Sequence, residues 1–106
     1  MMKVYISGPI DGMIDRNVEG FNQAEKELRA AGYSVFNPTT LNFDDQWSIF
    51  DRREVIATIM SRCDAIFQLT GWSRDLTAHF EDCFSRGSGM KYIHKKGDGS
   101  FVMIQR

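Results

Sequence analysis

Apolar and polar positions along the chain fall into short apolar runs that alternate with stretches of helical periodicity. Lys3 to Ile6 reads as a buried strand that stops at a turn of small residues, Ser7-Gly8-Pro9. Val18, Phe21, Ala24, Leu28 and Ala31 then recur at helical spacing, and Gly32 follows as a helix terminator. Tyr33 to Phe36 predicts a second short strand, closed by Asn37-Pro38. Residues 39–47 predict a loop of polar and aromatic content that includes Asn42, Asp44 and Trp47. A second helix is expected over Ile49 to Ser61. Ala65 to Leu69 is an apolar run between Asp64 and Thr70-Gly71, and predicts a third strand. A third helix is expected from about Leu76 to Arg86. Lys91 to His94 begins a fourth strand after Gly87 and Gly89.

The resulting order, strand and helix in alternation with short connections, implies a mainly parallel sheet covered by helices on both faces. The expectation is a single α/β domain over residues 1–106, a flavodoxin- or Rossmann-like three-layer sandwich with four or five strands. The tail differs. Lys96-Gly97-Asp98-Gly99 separates Tyr92-Ile93-His94 from Phe101-Val102-Met103-Ile104, which predicts a hairpin and an antiparallel edge strand.

Composition narrows the function classes. The chain has 106 residues, 42% of them hydrophobic and 25% charged, with a net charge of −1. That balance gives no sign of a nucleic-acid-binding face, so no polymeric nucleic acid is expected as a partner. The apolar runs are too short for a bilayer, and the start lacks a signal-peptide pattern, so a cytoplasmic protein without membrane contact is expected. Cys63 and Cys83 lack metal-ligand spacing and read as two buried thiols in a reducing compartment. His79 and His94 have no partner at ligand spacing either, so no metal is expected.

In open α/β sheets, ligands sit outside the carboxyl ends of the strands. Three clusters are expected there: Tyr5 with Ser7, Gly8 and Pro9; Asp64 with the strand that ends at Gly71-Trp72; and Asp75 to Glu81 at the opening of the third helix. Asp75 suits an N-cap at the positive end of that helix. Ser7 and Gly8 offer a hydroxyl and a backbone N–H to a sugar or phosphate. Two carboxylates and a tyrosine in one crevice suit acid/base or nucleophilic chemistry on a neutral polar substrate. The plainer alternative has Asp75 as a cap only, Glu81 solvated and Tyr5 a core aromatic.

The segment Val4-Tyr5-Ile6-Ser7-Gly8-Pro9-Ile10-Asp11-Gly12-Met13, continuing to Asn17 and Phe21, resembles the opening of the nucleoside 2-deoxyribosyltransferase-like superfamily. It is most similar to the short phage and bacterial branch of DUF4406 type. The resemblance resumes at Arg62-Cys63-Asp64-Ala65-Ile66 and runs through Gly71-Trp72 and Thr77-Ala78-His79-Phe80-Glu81 to Gly89-Met90-Lys91-Tyr92-Ile93. It implies cleavage or exchange of the N-glycosidic bond of 2′-deoxynucleosides or their 5′-monophosphates, without cofactor. In that reading Glu81 is the nucleophile, Tyr5 its orienting partner and Asp75 the third catalytic group. Ser7, Gly8, Pro9, Asp64, Trp72 and Thr77 are the substrate-side residues. The family's base-contacting acid maps by spacing to Ile56, and Glu54 is the nearest carboxylate. Thr77 stands where the short branch usually has glycine. Asp75 in place of a phosphate-holding serine favours a nucleoside over a nucleotide, with Arg74 available to offset the repulsion.

The resemblance also implies a homodimer or higher homo-oligomer, with the aromatic loop around Trp47 and Phe50 suited to the interface. Two other readings stand beside the enzyme: a non-catalytic relative that binds a nucleotide or nucleotide-derived signal in the same crevice, and a small accessory protein that uses the fold for protein contacts.

Overall fold

The computed structural model describes residues 2–41, 43 and 46–105; Asn42 and Asp44 of the expected loop lie outside the described residues. Five strands, β1 (Lys3–Ser7), β2 (Ser34–Phe36), β3 (Ala65–Gln68), β4 (Lys91–Lys95) and β5 (Phe101–Ile104), form one sheet in the order β2-β1-β3-β4-β5. The first four run parallel and β5 returns antiparallel beside β4, opposing Tyr92 to Ile104. Three helices complete the fold, α1 (Val18–Ala30), α2 (Ile49–Met60) and α3 (Leu76–Gly87). The expected α/β architecture and its antiparallel edge are both present.

Side-chain alternation along β1 sets the layers, because successive strand residues point to opposite faces. Val4 and Ile6 pack with Phe21, Ala24 and Leu28 of α1. Tyr5 instead joins Ile56 and Met60 of α2 in a second core, with Phe80 and Phe84 of α3 against its margin. One helix therefore covers one face and two cover the other. The register Tyr5↔Ile66 and Ser7↔Gln68 extends β1 one residue past the expected Ile6, which carries Ser7 onto the α3 side as ordered strand.

The helix ends follow local chemistry. Ser48 caps α2 by accepting from the Asp51 N–H at 3.0 Å. α1 ends as the apolar periodicity predicts. Gly32 adopts φ +97°, and the Tyr33 and Gly32 N–H groups donate back to the Leu28 and Arg29 carbonyls. The start of α1 has no such sequence signal. Asp15, Arg16 and Asn17 are three successive non-glycine residues at φ +49°, +54° and +59°. Each left-handed residue costs on the order of 1–2 kcal/mol, so the turn must be held from outside. Asn17 Nδ2 donates to the Pro9 carbonyl at 3.0 Å, and Arg16 Nη2 donates to the Leu41 carbonyl at 3.1 Å. Gly20 leaves room for that Asn17 side chain, since a Cβ there would stand 2.6 Å from Asn17 Oδ1.

Among the described residues, no helix is long and apolar enough to cross a membrane. Of the two cysteines, Cys63 is buried and burial pushes its thiol up to about 11, but Cys83 is exposed, not buried as expected. The inward stripe of α3 is Ala78, Glu81, Asp82 and Ser85, and Cys83 lies off it.

Candidate active site

That inward stripe breaks the usual rule for a helix packed on a sheet. Positions 78, 81, 82 and 85 follow the spacing that normally carries apolar side chains to the core, yet three of the four are polar and all are buried. Each has partners. Asp82 accepts from Gln68 Nε2 at 2.8 Å and from Arg86 Nε at 3.0 Å. Ser85 Oγ donates to the Asp82 carbonyl at 2.7 Å. Glu81 reaches β1 itself, where Tyr5 donates its hydroxyl to Oε2 and Ser7 Oγ donates to Oε1 at 2.7 Å.

Both donors come from the same face of β1, two residues apart, and both meet one carboxyl. Glu81 is only 3% exposed, and Tyr5 and Ser7 are fully buried. Each hydroxyl bond favours the ionised carboxylate, a charge-assisted bond being worth roughly 1.5–3 kcal/mol. Burial outweighs them. Loss of solvation raises the Glu81 pKa to about 7, against the Tyr5 and Ser7 bonds that lower it, and the Asp75 charge adds to the rise. Tyr5 is pushed well above its ordinary value, by burial first and then by the Glu81 charge, so it remains a hydroxyl donor.

Asp75 caps α3, as its type and position predict: its Oδ1 accepts from the Ala78 N–H at 2.9 Å. Its other oxygen accepts from the Ile10 N–H at 3.1 Å and so ties the segment after β1 to the start of α3. Both oxygens are thereby committed to backbone donors.

These groups surround a cleft of about 220 Å³. Three carboxylates line it, Asp11, Asp75 and Glu81, with Thr77 one helical turn before Glu81. Two guanidinium groups, Arg16 and Arg52, face it from other walls, Arg52 lying 5.8 Å from the Phe43 ring centroid. Ile10, Pro38, Leu41, Phe43 and Ile56 form the apolar lining. The volume lies below the 300–1,000 Å³ of a site that encloses a drug-sized ligand, and suits a sugar-sized group.

Several expected substrate-side residues are placed elsewhere. Asp64 stands at the opposite end of the sheet. It precedes β3, accepts from the Lys3 N–H at 2.8 Å, and its carbonyl accepts from the Lys91 N–H at 3.1 Å. It fastens the amino ends of three strands and cannot touch a ligand at their carboxyl ends, since a four-residue strand spans roughly 13 Å. Glu54 is exposed and does not line the cleft, while Ile56 does. On a helix these two residues point about 200° apart. Trp72 lies 5.4 Å from the His79 ring, outside the cleft lining, and Arg74 is exposed outside it too. Gly8 and Pro9 are buried beneath the turn. A Cβ on Gly8 would meet Leu69 Cβ at 2.8 Å, so the glycine makes room for packing and not for a ligand. Ser7 directs its hydroxyl at Glu81 rather than into the cleft.

Asp11, Arg16, Leu41, Phe43 and Arg52 line the cleft without having been singled out in the sequence as site residues. For Asp11 a signal existed: it follows the Ser7-Gly8-Pro9 turn within the motif that opens the chain. Arg16 and Leu41 had none, because their meeting depends on the left-handed turn.

No curated protein and no solved structure matches the chain. A family model described as a domain of unknown function, DUF4406, matches residues 2–94 and so takes in β1 to β3, β4 up to His94, the cleft and Glu81. The chain belongs to the DUF4406 family.

Proposed function

We propose that the protein cleaves or exchanges the N-glycosidic bond of 2′-deoxynucleosides or their 5′-monophosphates, with Glu81 as the nucleophile. The observation that carries this reading is the Glu81 carboxyl, buried at the cleft and held on both oxygens by Tyr5 and Ser7. The sequence resemblance to the nucleoside 2-deoxyribosyltransferase-like superfamily supports it.

The geometry supports this chemistry. A fixed carboxylate stabilises the oxocarbenium-like centre that develops at C1′ and bonds to it, as in retaining glycosidases. Tyr5 and Ser7 hold the carboxylate in one orientation, so little reorganisation accompanies attack. Asp75 holds the segment after β1 to α3, and its charge adds to the negative potential that favours the cationic transition state. Water or an incoming base then resolves the deoxyribosyl ester on Glu81. The Asp75 charge disfavours a phosphate dianion beside it, which favours nucleosides. Large apolar side chains are exposed on the segments that line the cleft: Ile14 at 96%, Phe50 at 73% and Leu76 at 76%. They support a homo-oligomer in which a second copy covers the cleft mouth.

The test is incubation with 2′-deoxynucleosides, with and without a second free base, and separation of the products by chromatography. Release or exchange of base is expected, and Glu81→Ala is expected to abolish it. Activity that survives Glu81→Ala would sink the mechanism. Ile56, apolar where the superfamily carries its base-contacting acid, favours a second reading, ligand binding without turnover. That reading expects thermal stabilisation, about 2.7 kcal/mol at one hundred times Kd, with no product formed.

A further inference from the structure

A glutamate nucleophile requires a proton for the base that leaves, and the position expected to supply it is Ile56. The cleft offers few substitutes. Glu81 is the nucleophile, and both Asp75 oxygens are bonded to backbone N–H groups. Arg16 and Arg52 offer hydrogen-bond donors rather than a carboxyl acid, and Thr77 offers only an alcohol hydroxyl. Asp11 lines the same cleft from the segment after β1, is exposed at its mouth, and accepts no hydrogen bond from any described residue. A base displaced from C1′ by a carboxylate at the cleft floor departs on the far side of the sugar, toward the mouth.

We infer that Asp11 is the acid/base residue on the leaving-base side of this site, in place of the missing acid at position 56. The inference rests on Glu81 being the nucleophile. In the first half-reaction the ionised Glu81 carboxylate bonds through one oxygen to C1′ as the C1′–N bond breaks. The electron pair of that bond goes to the base nitrogen, and a proton passes from the Asp11 carboxyl to the base. In the second half, the Asp11 carboxylate takes a proton from water, or from the N–H of an incoming base. That oxygen or nitrogen bonds to C1′ as the ester bond breaks and returns its electron pair to Glu81.

The experiment compares two substrates in single-turnover assays, 2′-deoxyinosine and 7-methyl-2′-deoxyguanosine. The methylated base is already cationic and leaves as a neutral molecule without a proton. Asp11→Asn is expected to slow deoxyinosine cleavage about a hundredfold while cleavage of the methylated substrate stays within about threefold of wild type. The same melting temperature for both proteins checks the fold. An equal loss on both substrates, or no loss on deoxyinosine, overturns the role of Asp11 and leaves the Glu81 mechanism standing. A wild-type protein that cleaves neither substrate overturns both together.

Discussion

Burial of the Glu81 carboxyl comes at the expense of stability. Its folded carboxyl holds a proton up to about pH 7, whereas an ordinary carboxyl releases it near 4.5. The unfolded chain therefore binds fewer protons between those values, and stability falls as pH rises from about 4.5 to about 7, then levels off. The loss is on the order of 3 kcal/mol. Glu81→Gln removes the buried charge and keeps the shape. It is expected to melt with wild type at pH 5 and above it at pH 8, by differential scanning fluorimetry, while losing all turnover. Tyr5→Phe acts in the other direction. It deletes the larger of the two hydrogen bonds that lower the Glu81 pKa, so the rising limb of the pH–rate profile moves to higher pH. At pH 8 the same change costs about 1.5–3 kcal/mol in urea unfolding, the value of a hydrogen bond to a charged group.

At the scale of the elements, α3 states its purpose in its sequence. Ala78, Glu81, Asp82 and Ser85 occupy the stripe that faces the sheet, and three polar residues at core spacing set it apart from an ordinary apolar stripe. β1 is equally legible: alternation separates Val4 and Ile6 from Tyr5 and Ser7, and the two faces of the sheet follow from it. What the sequence could not disclose depends on contacts between distant segments. The left-handed turn at Asp15 to Asn17 is unfavourable locally and exists because Pro9 and Leu41 accept its side-chain hydrogen bonds. Asp64 reads as the residue before the third strand, which already puts it at that strand's amino end, and its bonds to Lys3 and Lys91 fasten it there. Asp75 joins two elements, which gives a prediction at this scale. Asp75→Ala is expected to cost about 1–2 kcal/mol from the lost cap, more with the Ile10 N–H left unpaired, whereas Asp75→Asn retains most of that stability. Urea unfolding of the two variants separates these outcomes.

For the whole molecule, the 2-1-3-4-5 strand order places β1 in the interior, with all the proposed chemistry at one end of the sheet and a structural clamp at the other. Asp64→Ala is therefore expected to lower stability by about 0.5–1.5 kcal/mol and leave the rate per folded molecule unchanged, read from unfolding and kinetics on the same preparation. The order of the strands also bears on synthesis. β1 leaves the ribosome ahead of both neighbours. β2 can cover one of its edges once Phe36 has emerged, but the other edge stays bare until β3 at Ala65 to Gln68 follows. During that interval the nascent chain presents Val4 to Ser7 as an unpaired apolar edge, the kind of surface that chaperones hold and that recruits other chains. The strand that carries both hydroxyl donors to Glu81 is thus exposed to misassembly before Glu81 itself has been made.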